Sequence, residues 1–327
     1  MIALAFDARE TSHMSAGVLN YSRKLREWLP RIAPDVRLIP VGGGDNFDVA
    51  EQAGLPLAIA RSRARLAHFP TLFVPRFVPA PYVVTVHDLI DLHFPQFVKR
   101  QVSPYVRGLV APVLRAARAV ITDDEATVGD LERFLGVDPR RVRVIALGSD
   151  DPLEAPLPAG HPRPYLLYVG NRRPHKNLAT LLAAWSALRN DVAVDLVLSG
   201  PPDPALTADG IVFLGERSDA ELRGWYAGAA AYVHPALREG FGLPLLEAMR
   251  NGARVVAARQ ATPRVLAPHA VLVDALDVAG WRAALAALLA EPQAARAAAV
   301  AAQEATRELT WERTARLTAE VYREIAR

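Results

Sequence analysis

The chain has 327 residues, 51% hydrophobic and 22% charged, with a formal net charge of +3 and no cysteine. That length holds two ordinary domains, and the composition excludes a disordered chain. The missing thiols exclude a disulfide framework, a thiolate metal site and a cysteine nucleophile. Basic residues are scattered and match no nucleic-acid motif, so nucleic acid is not an expected partner.

Short apolar runs alternate with helix-like stretches, which predicts parallel sheets covered by helices on both faces. Strands are expected at Ile2–Ala8, Val36–Val41, Leu66–Phe69, Tyr82–Val86, Ala119–Thr122 and Val142–Ala146. The first is followed by a loop containing Gly17 and a helix to about Leu29. Further helices are expected at Val102–Ala117 and Thr127–Leu135, the second ending on Gly136 as a C-cap. Gly148–Pro164, rich in proline, glycine and acidic residues, reads as a linker. A second set of strands is expected at Tyr165–Val169, Val194–Leu198, Val212–Leu214, Ala231–His234, Arg254–Ala258 and Val271–Val273. The alanine-rich stretch Ala283–Ala302 predicts a surface helix. The N-terminus lacks the basic start of a signal peptide, and no apolar run is long enough for a membrane span. A cytoplasmic protein is therefore expected.

The run His234-Pro-Ala-Leu-Arg-Glu-Gly-Phe-Gly-Leu-Pro-Leu-Leu-Glu-Ala-Met249 concentrates chemistry. Gly240 and Gly242 permit a tight turn, and Pro244 fits the first turn of a helix. Unpaired N–H groups at such a start attract an anion. Glu239 precedes the turn and Glu247 follows inside the helix, so hydroxyl acceptors flank a phosphate site, the pattern a sugar nucleotide presents. Upstream, Gly170–Asn177 ends a strand with Arg172, Arg173, His175 and Lys176, cations suited to a leaving diphosphate.

The Glu239–Glu247 run resembles the E-x7-E motif of glycosyltransferase family 4, retaining enzymes of GT-B fold. Phe6–Arg9, Val84–Leu89 (VTVHDL), Leu167–Leu178 (LYVGNRRPHKNL) and Thr310–Ala315 resemble other motifs of that family, in the same order. The resemblance implies two Rossmann-like domains whose parallel sheets face a central cleft. Their expected extents are 1–155, on the acceptor side and joined by a C-terminal helix 310–327, and 156–309, which binds the nucleotide sugar. It implies catalytic roles for Glu239 and His87 beside the donor sugar. It implies donor contacts at Gly17, Gly170, Arg173, Lys176, Gly215, Glu216, Gly240, Phe241, Gly242, Leu243 and Glu247, with Glu247 on the ribose.

The H-D-L loop and the P-H-K-N turn are similar to those of members that take mannose from GDP-mannose; UDP-hexoses and dTDP-rhamnose stay open. The acceptor implied is a glycan or lipid-linked hydroxyl in surface polysaccharide assembly. No metal or other cofactor is expected, because adjacent pairs such as Asp123-Asp124 and Asp150-Asp151 are not D-x-D motifs and read as solvated loops. Phe73, Arg76, Phe77, Phe97, Lys99, Arg100, Arg107, Arg115 and Arg118 offer a basic and aromatic set for peripheral contact with the inner face of a membrane. Two rivals are an inverting transferase, with Asp88 or Asp124 as base, and a catalytically silent binding protein on the same scaffold.

Overall fold

A computed structural model of the protein describes residues 1–11, 14–43, 51–100, 102–152 and 160–327. The chain divides into two compact units, residues 1–148 with 309–327, and residues 149–308. The first unit thus ends at Gly148, where the sequence placed the boundary at 155. Of the predicted linker, residues 153–159 lie outside the described residues.

The first unit holds β1 (Ile2–Asp7), α1 (Ala16–Ile32), β2 (Val36–Val41), α2 (Glu51–Ser62), β3 (Leu66–Phe69), β4 (Tyr82–Thr85), α3 (Ile90–His93), α4 (Val102–Tyr105), α5 (Ala111–Ala116), β5 (Ala119–Thr122), α6 (Glu125–Leu135) and β6 (Val142–Val144). Its sheet is parallel, in the order β2-β1-β3-β4-β5-β6. β3, β4 and β5 are buried along their whole length, as expected of strands covered on both faces. The predicted helix over Val102–Ala117 is interrupted by a π turn, Val106–Val110, between α4 and α5. Gly17 lies inside α1, capped by Ser15, and not in a preceding loop. Gly136 closes α6 at φ 66°, the left-handed C-cap that the sequence implied.

The second unit holds β7 (Tyr165–Tyr168), α7 (Leu178–Leu188), β8 (Asp195–Leu198), β9 (Ile211–Phe213), α8 (Asp219–Gly228), β10 (Ala231–His234), α9 (Leu243–Arg250), β11 (Val255–Ala258), β12 (Val271–Val273), α10 (Val278–Ala290) and α11 (Pro292–Ala305). Its parallel sheet runs β12-β11-β10-β7-β8-β9. The strand order reverses between β7 and β10, and ligands of such sheets bind beyond the carboxyl ends at that switch point. The alanine-rich stretch is two helices, not one, because Pro292 cannot continue α10 and instead opens α11. Nor is it wholly surface: Leu285, Leu288, Ala299 and Ala302 are buried.

After Glu308 the chain returns to the first unit as α12 (Trp311–Ile325). Trp311, Ala315, Thr318, Ala319 and Tyr322 fall on one helical face and are buried. Tyr322 Oη lies 2.6 Å from His68 Nδ1, and Arg323 holds Asp35 through two bonds of 2.7 and 2.8 Å. Gly148 makes this return possible, since a Cβ there would sit 2.2 Å from the Thr310–Trp311 backbone. The described ends of the linker are tied down too. Arg223 lies 3.5 Å from Asp150, the buried Arg250 pairs with Asp151 at 2.5 Å, and His161 and Arg163 reach Asp195 at 2.8 and 3.0 Å. Asp150 and Asp151 are thus ion-paired and not simply solvated.

Candidate active site

In the second unit, the turn after β7 and the turn after β10 meet at the switch point. Asn177, itself left-handed at φ 55°, fastens them together. Its Nδ2 donates to Pro235 O at 3.0 Å and Ala275 O at 2.7 Å, and Leu237 N donates to His175 O at 2.8 Å. Lys176 Nζ thereby reaches both Glu239 oxygens, at 2.7 and 2.6 Å, with the two side chains only 14% and 13% exposed. Burial alone would raise the Glu239 carboxyl, but Lys176 and then His234 outweigh it and hold it at about 2. His234 Nε2 lies 3.5 Å from Glu239 and makes no hydrogen bond, while its Nδ1 meets Tyr232 Oη at 3.2 Å.

Gly242 caps α9 at φ 76° and carries no side chain to satisfy the first N–H groups. A Cβ on it would press on Glu239 Cγ at 3.3 Å, so glycine serves both the turn and the glutamate. Gly240 and Phe241 are buried in the same turn, and Leu243 and Pro244 open α9. Glu247 points from α9 to Tyr226 on α8, whose Oη donates at 3.0 Å. Burial raises this carboxyl; Tyr226 offsets the rise in part, and Asp219 and Asp150 add to it. The two glutamates therefore differ in kind. One is clamped by a cation, and the other keeps a neutral phenol as partner and gains from hydroxyl donors.

The arginines of the basic turn also separate. Arg172 is engaged within the fold, donating to Ser199 O and Pro201 O at 3.2 and 2.7 Å and lying 4.9 Å from the Phe213 ring centroid. Arg173 is exposed, and its side chain has no ion-pair partner among the described residues. Gly170 N donates to Ser199 Oγ at 3.0 Å. Gly215, at φ 66°, donates to Gly200 O at 3.0 Å, and the neighbouring Glu216 is exposed.

In the first unit, His87 lies just beyond β4 and Asp123 just beyond the adjacent β5. Strand register sets Thr85 opposite Ile121, so the two side chains meet, His87 Nδ1 at 2.6 Å from Asp123 Oδ2. Asp123 is buried, which corrects its reading as a solvated loop residue. Burial would lower His87, but Asp123 first and Asp88 after it raise it above the ordinary imidazole value. Asp88 accepts from Ile90 N at 3.0 Å and Asp124 caps α6 through Ala126 N at 2.9 Å. Both candidate bases of an inverting mechanism are thus engaged by local backbone. Asn177, His234, Tyr226 and Asp123 escaped the sequence reading. Asn177 and His234 stood inside the motifs already singled out, the P-H-K-N turn and the start of the E-x7-E run, and Asp123 in an acidic pair, but none was given its pairing; Tyr226 left no signal.

Among the described residues, no cluster of three or more His, Asp or Glu is placed to hold a metal ion, and no helix is long and apolar enough to cross a membrane.

Two family signatures match this architecture, each on one unit. "Glycosyltransferase Family 4" spans residues 14–152, and "Glycosyl transferases group 1" spans residues 163–291. The chain belongs to glycosyltransferase family 4. It has the GT-B fold of that family, with a parallel six-stranded sheet in each unit. Among curated relatives, O-antigen chain mannosyltransferase B of Escherichia coli is 29% identical over 236 residues, 64% of this chain and 61% of that protein. MMP alpha-(1->4)-mannosyltransferase of Mycolicibacterium hassiacum is 33% identical over 215 residues, 59% of this chain and 52% of that protein. The chain thus matches between half and two thirds of the length of these relatives. Sucrose-phosphate synthase from Thermosynechococcus elongatus has the same fold, with a TM-score of 0.78, 22% identity and 99% of each chain covered.

Proposed function

We propose that this family 4 protein is a retaining hexosyltransferase that moves mannose from GDP-mannose to a hydroxyl of a glycan or lipid-linked acceptor. The observation that carries this reading is the Lys176–Glu239 pair beside the uncapped start of α9, at the switch point of the sheet. A lysine, an open arginine and helix-start amides suit a diphosphate, and Glu239 and Glu247 supply hydroxyl acceptors on either side. The mannosyltransferase relatives favour mannose, and His87 serves as a contact to the transferred sugar. The acceptor oxygen bonds to the anomeric carbon as the bond to the diphosphate breaks, and the acceptor proton passes to the departing phosphate. Lys176 and Arg173 stabilise the charge that develops on the leaving group.

The test is transfer from GDP-mannose, UDP-hexoses and dTDP-rhamnose to a polyprenyl-linked glycan, with the product anomer read by NMR. Retention with GDP-mannose is expected, and transfer should persist in excess EDTA because protein cations replace a divalent ion. Inversion would overturn the retaining reading. Preference for another donor would overturn the mannose assignment, and loss on chelation restored by one metal would overturn the metal-independent leaving group.

Peripheral membrane contact belongs to the same proposal. Phe77 and Phe97 are 68% and 43% exposed, near in sequence to the exposed Arg76, Lys99 and Arg100. Each basic residue near an anionic surface contributes about 1 kcal/mol. Co-sedimentation with vesicles containing phosphatidylglycerol is expected at low salt and should fade as salt rises. Equal pelleting with neutral vesicles, or none with either, would refute it.

A further inference from the structure

The first unit contains a buried polar chain that the donor motifs do not explain. Tyr322 Oη on α12 lies 2.6 Å from His68 Nδ1, and His68 Nε2 lies 2.8 Å from Thr85 Oγ1. Thr85 in turn meets Tyr21 Oη at 2.9 Å, and the Tyr21 ring stands edge-on to His87 with centroids 4.7 Å apart. These contacts fix one wall of the His87 ring. The other constraint is Asp123, 2.6 Å from Nδ1 with a side chain 2% exposed. Asp123 Oδ1 has no hydrogen-bond partner, so the carboxylate interacts chiefly with this imidazole. His87 Nε2 is buried and also has none.

We propose that Asp123 is a positioning residue for the transfer step: its Oδ2 engages Nδ1–H of His87, fixing the ring so that Nε2 is the nitrogen that meets the transferred sugar. This rests on the reading of His87 as a sugar contact. A carboxylate that accepts from one imidazole nitrogen selects the tautomer and favours the charged ring. Charged groups and dipoles facing His87 are the carboxylates of Asp123 and Asp88, the Pro70 carbonyl and the neighbouring His68 ring. The carboxylates and the carbonyl favour imidazolium. Nε2–H is then a donor to a sugar hydroxyl, and its proton is not transferred.

The experiment pairs NMR of nitrogen-15 histidine-labelled protein with pH–rate profiles of mannosyl transfer, in wild type, Asp123→Asn, His87→Ala and the double variant. Wild-type His87 should carry its proton on Nδ1 when neutral and titrate above an ordinary histidine. In Asp123→Asn the titration should move to lower pH, because the opposite charge is gone. Turnover should fall about tenfold to a hundredfold, with donor KM changed less than about threefold. The alkaline limb of the wild-type profile should move to lower pH with it and vanish in His87→Ala, where Asp123→Asn should add little further loss.

A neutral wild-type His87 protonated on Nε2 overturns the proposal, and needs no variant to fold. An unshifted titration in Asp123→Asn, or a full additional loss in the double variant, also overturns it. If His87→Ala transfers mannose as well as wild type, the reading of His87 as a sugar contact fails instead, whatever NMR shows for Asp123.

Discussion

Glu239→Ala is expected to lower turnover on the order of a hundredfold or more while nucleoside diphosphate still binds. The carboxylate is buried, held at about 2 against its own desolvation, and fixed by two contacts to Lys176. A group so preorganised contributes most where charge and geometry change in the reaction. Its removal also frees Lys176 Nζ to turn wholly toward a diphosphate, so nucleotide affinity should stay level or rise. Glu247→Ala should behave differently. That side chain is paired with Tyr226 and lies on the ribose side of the proposed donor, so nucleotide binding itself should weaken. Steady-state kinetics with nucleotide titrations separate the two. Wild-type turnover in both variants would remove the glutamates from the reaction.

The sheets were legible in the sequence because fully buried strands leave uninterrupted apolar runs. Leu66–Phe69, Ala119–Thr122 and Ala231–His234 are buried throughout and have the predicted limits; Val271–Val273 has them too, as an edge strand exposed at Val271. The break at Pro292 was misread because alanine's helix propensity extends through residues on both sides of it. The π turn at Val106–Val110 left no trace, since one extra residue per turn hardly disturbs an apolar stripe.

In the candidate site, local motifs were legible and tertiary pairings were not. The sequence singled out Lys176 and Glu239 separately, as a diphosphate cation and a sugar-side carboxylate. Only the switch from β7 to β10 explains why they touch. The His87–Asp123 pair has the same origin. It depends on β4 and β5 being neighbours in register, which no single stretch of sequence displays. Arg172 and Arg173 were indistinguishable by type. Their geometry separates them, one bonded to backbone carbonyls and the other open.

Lys176→Ala should cost more in donor affinity than any other single change in the basic turn. Loss of a desolvated cation opposite a diphosphate costs on the order of 2–5 kcal/mol, from about thirtyfold to several thousandfold in affinity. Part of that loss comes from the partner left behind. Without Lys176, Glu239 keeps its burial and loses its main neutralising charge, so its carboxyl rises from about 2 and, while ionised, repels the donor. The sign of the pH dependence follows. Wild-type Glu239 stays ionised down to about pH 2, so its titration gives donor affinity no slope near neutrality. In Lys176→Ala, affinity for GDP-mannose should improve as falling pH protonates the stranded carboxyl, because the diphosphate diester keeps its own charge. Arg173→Ala should show a smaller loss and no such pH dependence, since an exposed guanidinium is screened by solvent and holds no buried partner. Calorimetric titration of the three proteins across pH measures both effects. Wild-type affinity in Lys176→Ala and Arg173→Ala alike would reduce the turn after β7 to a solvated surface loop.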